Sequence, residues 1–191
     1  MNICLYGASS AELDTVYLDA AYEFGRLLAG NGHTLVYGGG GQGIMGAAAR
    51  GAADQGGTII GIAPSFLNVD GILFDRCTQL ILTDTMAARK SAMIARADAF
   101  VMAPGGFGTL EEFFEVLTLK QLGQHNPAIA ILNTNGYYHK MQDFIRTAVE
   151  QRFVRPACLQ IYTLCRTPAE TLACLEQYDA AAMDVRHLKN L

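Results

Sequence analysis

The chain of 191 residues is 51% hydrophobic and 17% charged, which is enough apolar material for one buried core and too little charge for a disordered polyelectrolyte. A formal net charge of −4, a pI near 5.5 and no run of Lys or Arg leave no field for a polyanion, so nucleic acid is excluded as a partner. The opening Met1-Asn2-Ile3-Cys4-Leu5-Tyr6-Gly7 has neither a basic segment nor a small-residue cleavage site, and no apolar run reaches about 18 residues; the expected location is the cytoplasm, without membrane contact.

In chain order, short β-rich runs alternate with amphipathic helical stretches. That alternation predicts an α/β fold: a doubly wound, mostly parallel sheet with helices on both faces. Strands are expected at 3–6, 34–37, 58–63, 79–82, 99–103, 128–132 and 160–164. A first helix over 15–29 ends in Gly30-Asn31-Gly32, which supplies the left-handed residues of a C-cap. Near the end, Thr167-Pro168-Ala169-Glu170 reads as N-cap, Pro at the first helical position and capping-box Glu of a last helix running towards Tyr178. No repeat, low-complexity stretch or linker divides the chain, so a single domain over 1–180 with a C-terminal tail at 181–191 is expected. The cysteines Cys4, Cys77, Cys158, Cys165 and Cys174 lack CxxC spacing and read as buried thiols, with no metal site.

Two strands run straight into Gly-rich turns and then helices: Gly38-Gly39-Gly40-Gly41-Gln42-Gly43-Ile44-Met45-Gly46, and Pro104-Gly105-Gly106-Phe107-Gly108-Thr109. Glycines let the backbone approach a ligand, and the free N–H groups of the following helix favour an anion such as phosphate. In a doubly wound sheet both loops lie at the carboxyl edge and can border one crevice. The first loop matches G-x-G-x-x-G, but the next strand ends Ile62-Ala63-Pro64-Ser65 without the carboxylate a dinucleotide site requires, and neither loop carries the Lys of a P-loop.

The helix after the second loop is expected to bury Leu110, Phe113, Phe114 and Leu117 while Glu111, Glu115 and Thr118 share a polar face. Glu112 falls instead beside Val116 and Leu119, an apolar setting that is costly for a carboxylate without a cationic partner or a purpose. Arg89 and Lys90, on the helix at 85–93, offer the cation; Met86 and Met93 of that helix read as packing residues.

The run Pro104-Gly105-Gly106-Phe107-Gly108-Thr109-Leu110-Glu111-Glu112 has the form P-G-G-x-G-T-x-x-E, and with Arg89-Lys90 and Tyr37-Gly38-Gly39-Gly40 it resembles the LOG family of cytokinin riboside 5′-monophosphate phosphoribohydrolases, some of which have been labelled lysine decarboxylases. The resemblance covers roughly residues 1–150. It implies a Rossmann-like fold and hydrolysis of the N-glycosidic bond of AMP or a cytokinin nucleotide, with no cofactor. Arg89 and Glu112 are then catalytic, while Lys90, Gly105, Gly106, Phe107, Gly108, Thr109, Leu110, Glu111 and Thr118 contact the substrate together with Gly39, Gly40 and Ser9. A homodimer is implied as well. The first turn, Tyr6-Gly7-Ala8-Ser9-Ser10, departs from the relatives' Gly-Ser-Ser, and 66–75 matches no pattern.

Two other readings compete. A carrier that binds a nucleotide or phosphorylated cofactor without hydrolysing it, as molybdenum-cofactor carriers do, has no need of an Arg89–Glu112 pair. A pyridoxal-phosphate decarboxylase needs a Schiff-base lysine, and Lys90, Lys120, Lys140 and Lys189 offer no convincing one.

Overall fold

The computed structural model describes residues 1–183. Seven strands form one parallel sheet: β1 (Asn2–Tyr6), β2 (Thr34–Tyr37), β3 (Ile59–Pro64), β4 (Gln79–Thr83), β5 (Ala99–Met102), β6 (Ala128–Leu132) and β7 (Thr163–Cys165). The helices are α1 (Thr15–Gly30), α2 (Gly43–Asp54), α3 (Met86–Ile94), α4 (Phe107–Gln121), α5 (His139–Glu150) and α6 (Pro168–Glu176). Among the described residues no helix is long and apolar enough to cross a membrane.

The strand order is β4-β3-β2-β1-β5-β6-β7. The chain builds outwards from β1 to the β4 edge, then returns to the centre and lays β5 against the other side of β1, pairing Cys4 with Phe100 and Leu5 with Val101. The reversal separates the loops after β1 and β5 and opens a crevice there, the usual ligand position in such sheets. The two loops remain tied by one hydrogen bond, from Ala8 N to the Pro104 carbonyl at 3.1 Å.

Alternation along the strands sorts side chains into two cores. Ile3, Leu5, Leu35 and Tyr37 pack under α1, α2 and α6 with Phe24, Ala48 and Leu172. Cys4, Tyr6, Val36, Phe100 and Met102 pack under the opposite layer with Met93 of α3, Phe113 and Val116 of α4, and Ile145 of α5. The central strands are buried on both faces, which is why they read as continuous apolar runs.

The caps follow the expected chemistry. Gly32 has φ +74°, and Thr167 Oγ1 accepts from Glu170 N at 3.2 Å while Glu170 Oε2 accepts from Arg166 N at 2.7 Å. Two elements differ. The last strand, expected at 160–164, is Thr163–Cys165, because Pro156 starts a 3₁₀ turn through Gln160, and Ile161 and Tyr162 are buried in the core instead. On α4 the buried residues are Thr109, Glu112, Phe113, Val116 and Lys120; of the stripe expected, Phe113 lies in the core and Leu110 and Leu117 pack partly against it, while Phe114 is exposed, because the docking of α4 on the sheet turns the helix towards Glu112. Cys4, Cys158 and Cys165 are buried free thiols, and Cys77 and Cys174 are half-buried ones. Of the tail expected at 181–191, residues 184–191 lie outside the described residues.

Candidate active site

The start of α4, like those of α2 and α5, has no side-chain cap. Its N-cap, Gly106, has no side chain to accept a hydrogen bond, and among the described residues the N–H groups of Gly106, Phe107, Gly108 and Thr109 find no acceptor. Uncapped amides at a helix start carry partial positive charge, so this turn is able to accept an anion. Among the described residues, a Cβ at Gly106 or Gly108 would meet no atom within 4 Å. Packing does not demand glycine at either position; what they keep open is the space in front of the amides.

That space is part of a cavity of about 670 Å³ at the carboxyl edge of the sheet, large enough for a small-molecule ligand. Its walls are the loop after β1 with Ser9, the first Gly-rich loop with Gly40, the segment around Leu67 and Leu73, Met86 and Arg89 of α3, and the first two turns of α4 through Glu112.

One α4 turn beyond Gly108, Glu112 Oε1 accepts from Arg89 Nη1 at 2.6 Å, with the two residues 8% and 7% exposed. Arg89 Nε donates to the Ile62 carbonyl at 3.1 Å, which anchors the guanidinium to the end of β3. Gly38 makes room for it, since a Cβ there would overlap Arg89 Nη2. Burial pushes the Glu112 carboxyl above the usual carboxylate range and the Arg89 charge opposes that rise, leaving the group raised. A carboxylate so held can stabilise positive charge or take a proton from water.

Lys90 turns the other way. It pairs with Glu111 and, at 3.0 Å, with Glu115 Oε2, so the α4 acids beside the cavity are fixed to α3; the Glu111 carboxylate raises the Lys90 ammonium pKa further.

Of the residues singled out in the sequence, the structure gathers Arg89, Glu112, Glu111, Gly106, Phe107, Gly108, Thr109, Gly40 and Ser9 around the cavity. Five stand off its wall. Lys90 lies behind Glu111, and Thr118 is exposed two turns further along α4. Leu110 packs partly into the core, Gly39 (φ +78°) lies against Ala63 and Leu73, and Gly105 is covered by the Thr109 side chain. Met86 lines the cavity instead of packing in the core, as do Leu67, Ile72 and Leu73, which periodicity could not place. Gly41 N donates to the Ile72 carbonyl at 2.8 Å and Phe74 N to that of Gly39 at 2.9 Å, which folds this patternless segment over the first loop. No described lysine lines the cavity: Lys90 is ion-paired, Lys120 is fully buried at the end of α4 and Lys140 is exposed on α5, while Lys189 lies outside the described residues; the described lining holds no amine for a pyridoxal-phosphate aldehyde.

Fold and site together define a Rossmann-like α/β protein in which an uncapped helix start and a buried arginine–glutamate pair face one cleft. A family model described as "Possible lysine decarboxylase" matches residues 45–175. The rice "Probable cytokinin riboside 5′-monophosphate phosphoribohydrolase LOGL2" is 38% identical over 93% of this chain and 72% of its own length; the Arabidopsis thaliana "Cytokinin riboside 5′-monophosphate phosphoribohydrolase LOG3" is 38% identical over 93% and 82%. The chain belongs to the LOG family. Among solved structures, the Chlamydomonas reinhardtii molybdenum cofactor carrier protein superposes with a TM-score of 0.71 over 95% of this chain and 98% of that one, at 22% identity, a likeness of fold. The molybdenum cofactor binding protein of Rippkaea orientalis gives 0.69 at 20%, over 92% and 93%.

Proposed function

We propose that this chain hydrolyses the N-glycosidic bond of a purine nucleoside 5′-monophosphate, AMP or its cytokinin form, to free base and ribose 5-phosphate. The observation that carries the reading is the placement of the buried Glu112 carboxylate one helical turn beyond the uncapped amides, on the same cavity. In this reading the 5′-phosphate sits on the amides of 106–109. Binding there, remote from the bond that breaks, fixes the sugar against Glu112. The C1′–N bond breaks with its electron pair going to the base, which takes up a proton; water adds to C1′ and loses a proton. Glu112 stabilises the cationic sugar and accepts the proton from water, while Glu111, whose side chain is 57% exposed, faces the ribose hydroxyls. Arg89 holds Glu112 ionised and in place.

Support comes from the family: the LOG relatives at 38% identity are named for this activity. Incubating the purified protein with AMP and with isopentenyl-AMP, and separating the products, tests it. Free base and ribose 5-phosphate are expected; tight binding of either nucleotide with no base released would overturn the reading in favour of a carrier.

The same proposal extends to assembly and location. Phe107 and Phe114, two turns apart on α4 and 93% and 38% exposed, give that helix an outward apolar face beside the cavity, suited to a second copy of the chain. The acidic charge and the unpaired thiols fit the cytoplasm.

A further inference from the structure

The loop that leads into α4 is held from behind at three consecutive carbonyls. Ala103 O accepts from Tyr138 Oη at 2.9 Å, Pro104 O from Ala8 N at 3.1 Å, and Gly105 O from Tyr137 Oη at 3.0 Å. In a trans peptide the N–H points opposite to the C=O of the same unit. Each of these bonds therefore also sets the direction of the next residue's amide, and the carbonyl of Gly105 shares its peptide with the N–H of Gly106, the first of the uncapped donors.

That peptide is the one most in need of a holder. It joins two glycines, and without Cβ atoms a concerted turn of ψ at 105 and φ at 106 can reverse it at little steric cost. Thr109 packs over Gly105, but among the described residues nothing touches the Cβ direction of Gly106. Tyr137 is on the far side of the loop from the large cavity. With Leu13, Tyr17, Pro104 and both glycines it lines a second, smaller space of about 200 Å³. Its ring is braced edge-on by Tyr17 at 5.8 Å and by Tyr138 at 4.8 Å. The turn that presents it is fixed too: Asn135 and Gly136 take φ +53° and +71°, Tyr137 N donates to the Thr134 carbonyl at 3.1 Å, and Asn133 Oδ1 accepts from Tyr138 N at 2.8 Å.

We infer that Tyr137 is a positioning residue: by donating to the Gly105 carbonyl it holds the Gly105–Gly106 peptide with its N–H turned into the cavity, where it meets the phosphate group of the ligand. The inference rests on the phosphate placement under Proposed function, but not on hydrolysis. Tyr137→Phe removes only the hydroxyl and keeps the ring packed between Tyr17 and Tyr138, so the fold is kept and the thermal midpoint falls by no more than the loss of one hydrogen bond.

The test uses ¹⁵N-labelled full chain titrated with ribose 5-phosphate. In wild type the Gly106 amide resonance moves on binding. In Tyr137→Phe that shift shrinks and the dissociation constant rises roughly tenfold, the scale of one well-placed hydrogen bond. With AMP the variant raises KM by a similar factor and leaves kcat close to wild type, because the lost contact serves ground and transition states alike. A variant that binds ribose 5-phosphate as tightly as wild type, with the same Gly106 shift, overturns the inference while leaving hydrolysis intact. A wild-type protein that shows the Gly106 shift but releases no base overturns the hydrolase reading and leaves Tyr137 in its role.

Discussion

Arg89 on α3 and Glu112 on α4 meet through a 2.6 Å hydrogen bond in a setting almost closed to water, although 23 positions of sequence separate them. Two buried charges hold each other in place, and one of them faces the cleft. Breaking such a pair from one side is expensive because the remaining charge stays buried and uncompensated.

Arg89→Met is expected to cost about 3 kcal/mol of stability, and adding Glu112→Met to it to restore a large part of the loss, since no lone charge then remains. Chemical denaturation of the single and double variants checks this; a double variant less stable than Arg89→Met would contradict it.

Glu112→Gln keeps shape and removes charge. Under the proposed mechanism kcat falls by about 10²–10⁴ with little change in dissociation constant for AMP. Single-turnover assays beside titration calorimetry separate the two quantities, and turnover within a few-fold of wild type removes Glu112 from the mechanism.

The glycines divide into two kinds. Gly38→Ala forces Arg89 out of position and is expected to lower both thermal midpoint and activity. Gly106→Ala and Gly108→Ala meet no protein atom, so their midpoints stay near wild type while KM for a 5′-monophosphate rises. Melting curves read with kinetics distinguish the classes, and a loss of fold at Gly108→Ala would refute the division.

Burial raises the Glu112 carboxyl above its ordinary value of 4.5. The active form is the carboxylate, so kcat/KM should fall as pH drops through a midpoint above that value, and Glu112→Gln should lose this acid limb. A pH–rate profile, corrected for unfolding, measures it.

Lys120, in the last turn of α4, is fully buried, donating to the Pro127 carbonyl at 2.6 Å and to Tyr178 Oη at 2.9 Å, and burial lowers its pKa from 10.5 to about 8. Between those values the unfolded chain binds more protons than the folded one, so the lysine's contribution to stability rises with pH from 8 to 10.5. Lys120→Met should abolish that rise; denaturation curves at both ends of the window decide.

For assembly, sedimentation of wild type at micromolar concentration is expected to give a dimer, and Phe114→Glu a monomer, by placing a charge on the outward face of α4. A wild-type monomer throughout would end that part of the proposal.

The sequence alone determined what depends on neighbours along the chain. Apolar runs of strand length, the caps at Gly32 and Thr167, and glycine clusters after two strands define a doubly wound sheet with glycine-rich loops at its carboxyl edge, because strand alternation, turn chemistry and helix capping act over a few residues. The run 104–112 and Arg89 contain several of the residues that the fold brings to one cavity. Tertiary structure alone decided that α4 turns Glu112 and Lys120 inward and Phe114 outward, since docking and not periodicity sets the rotation of the helix on the sheet. It also decided that Arg89 meets Glu112 while Lys90 meets Glu111 and Glu115, that the patternless stretch around Leu67 and Leu73 walls the cavity, and that Tyr137 and Tyr138 grip the loop from behind. Those relationships join elements distant along the chain, and they exist only once the sheet has brought the loops after β1, β2, β5 and β6 to one edge.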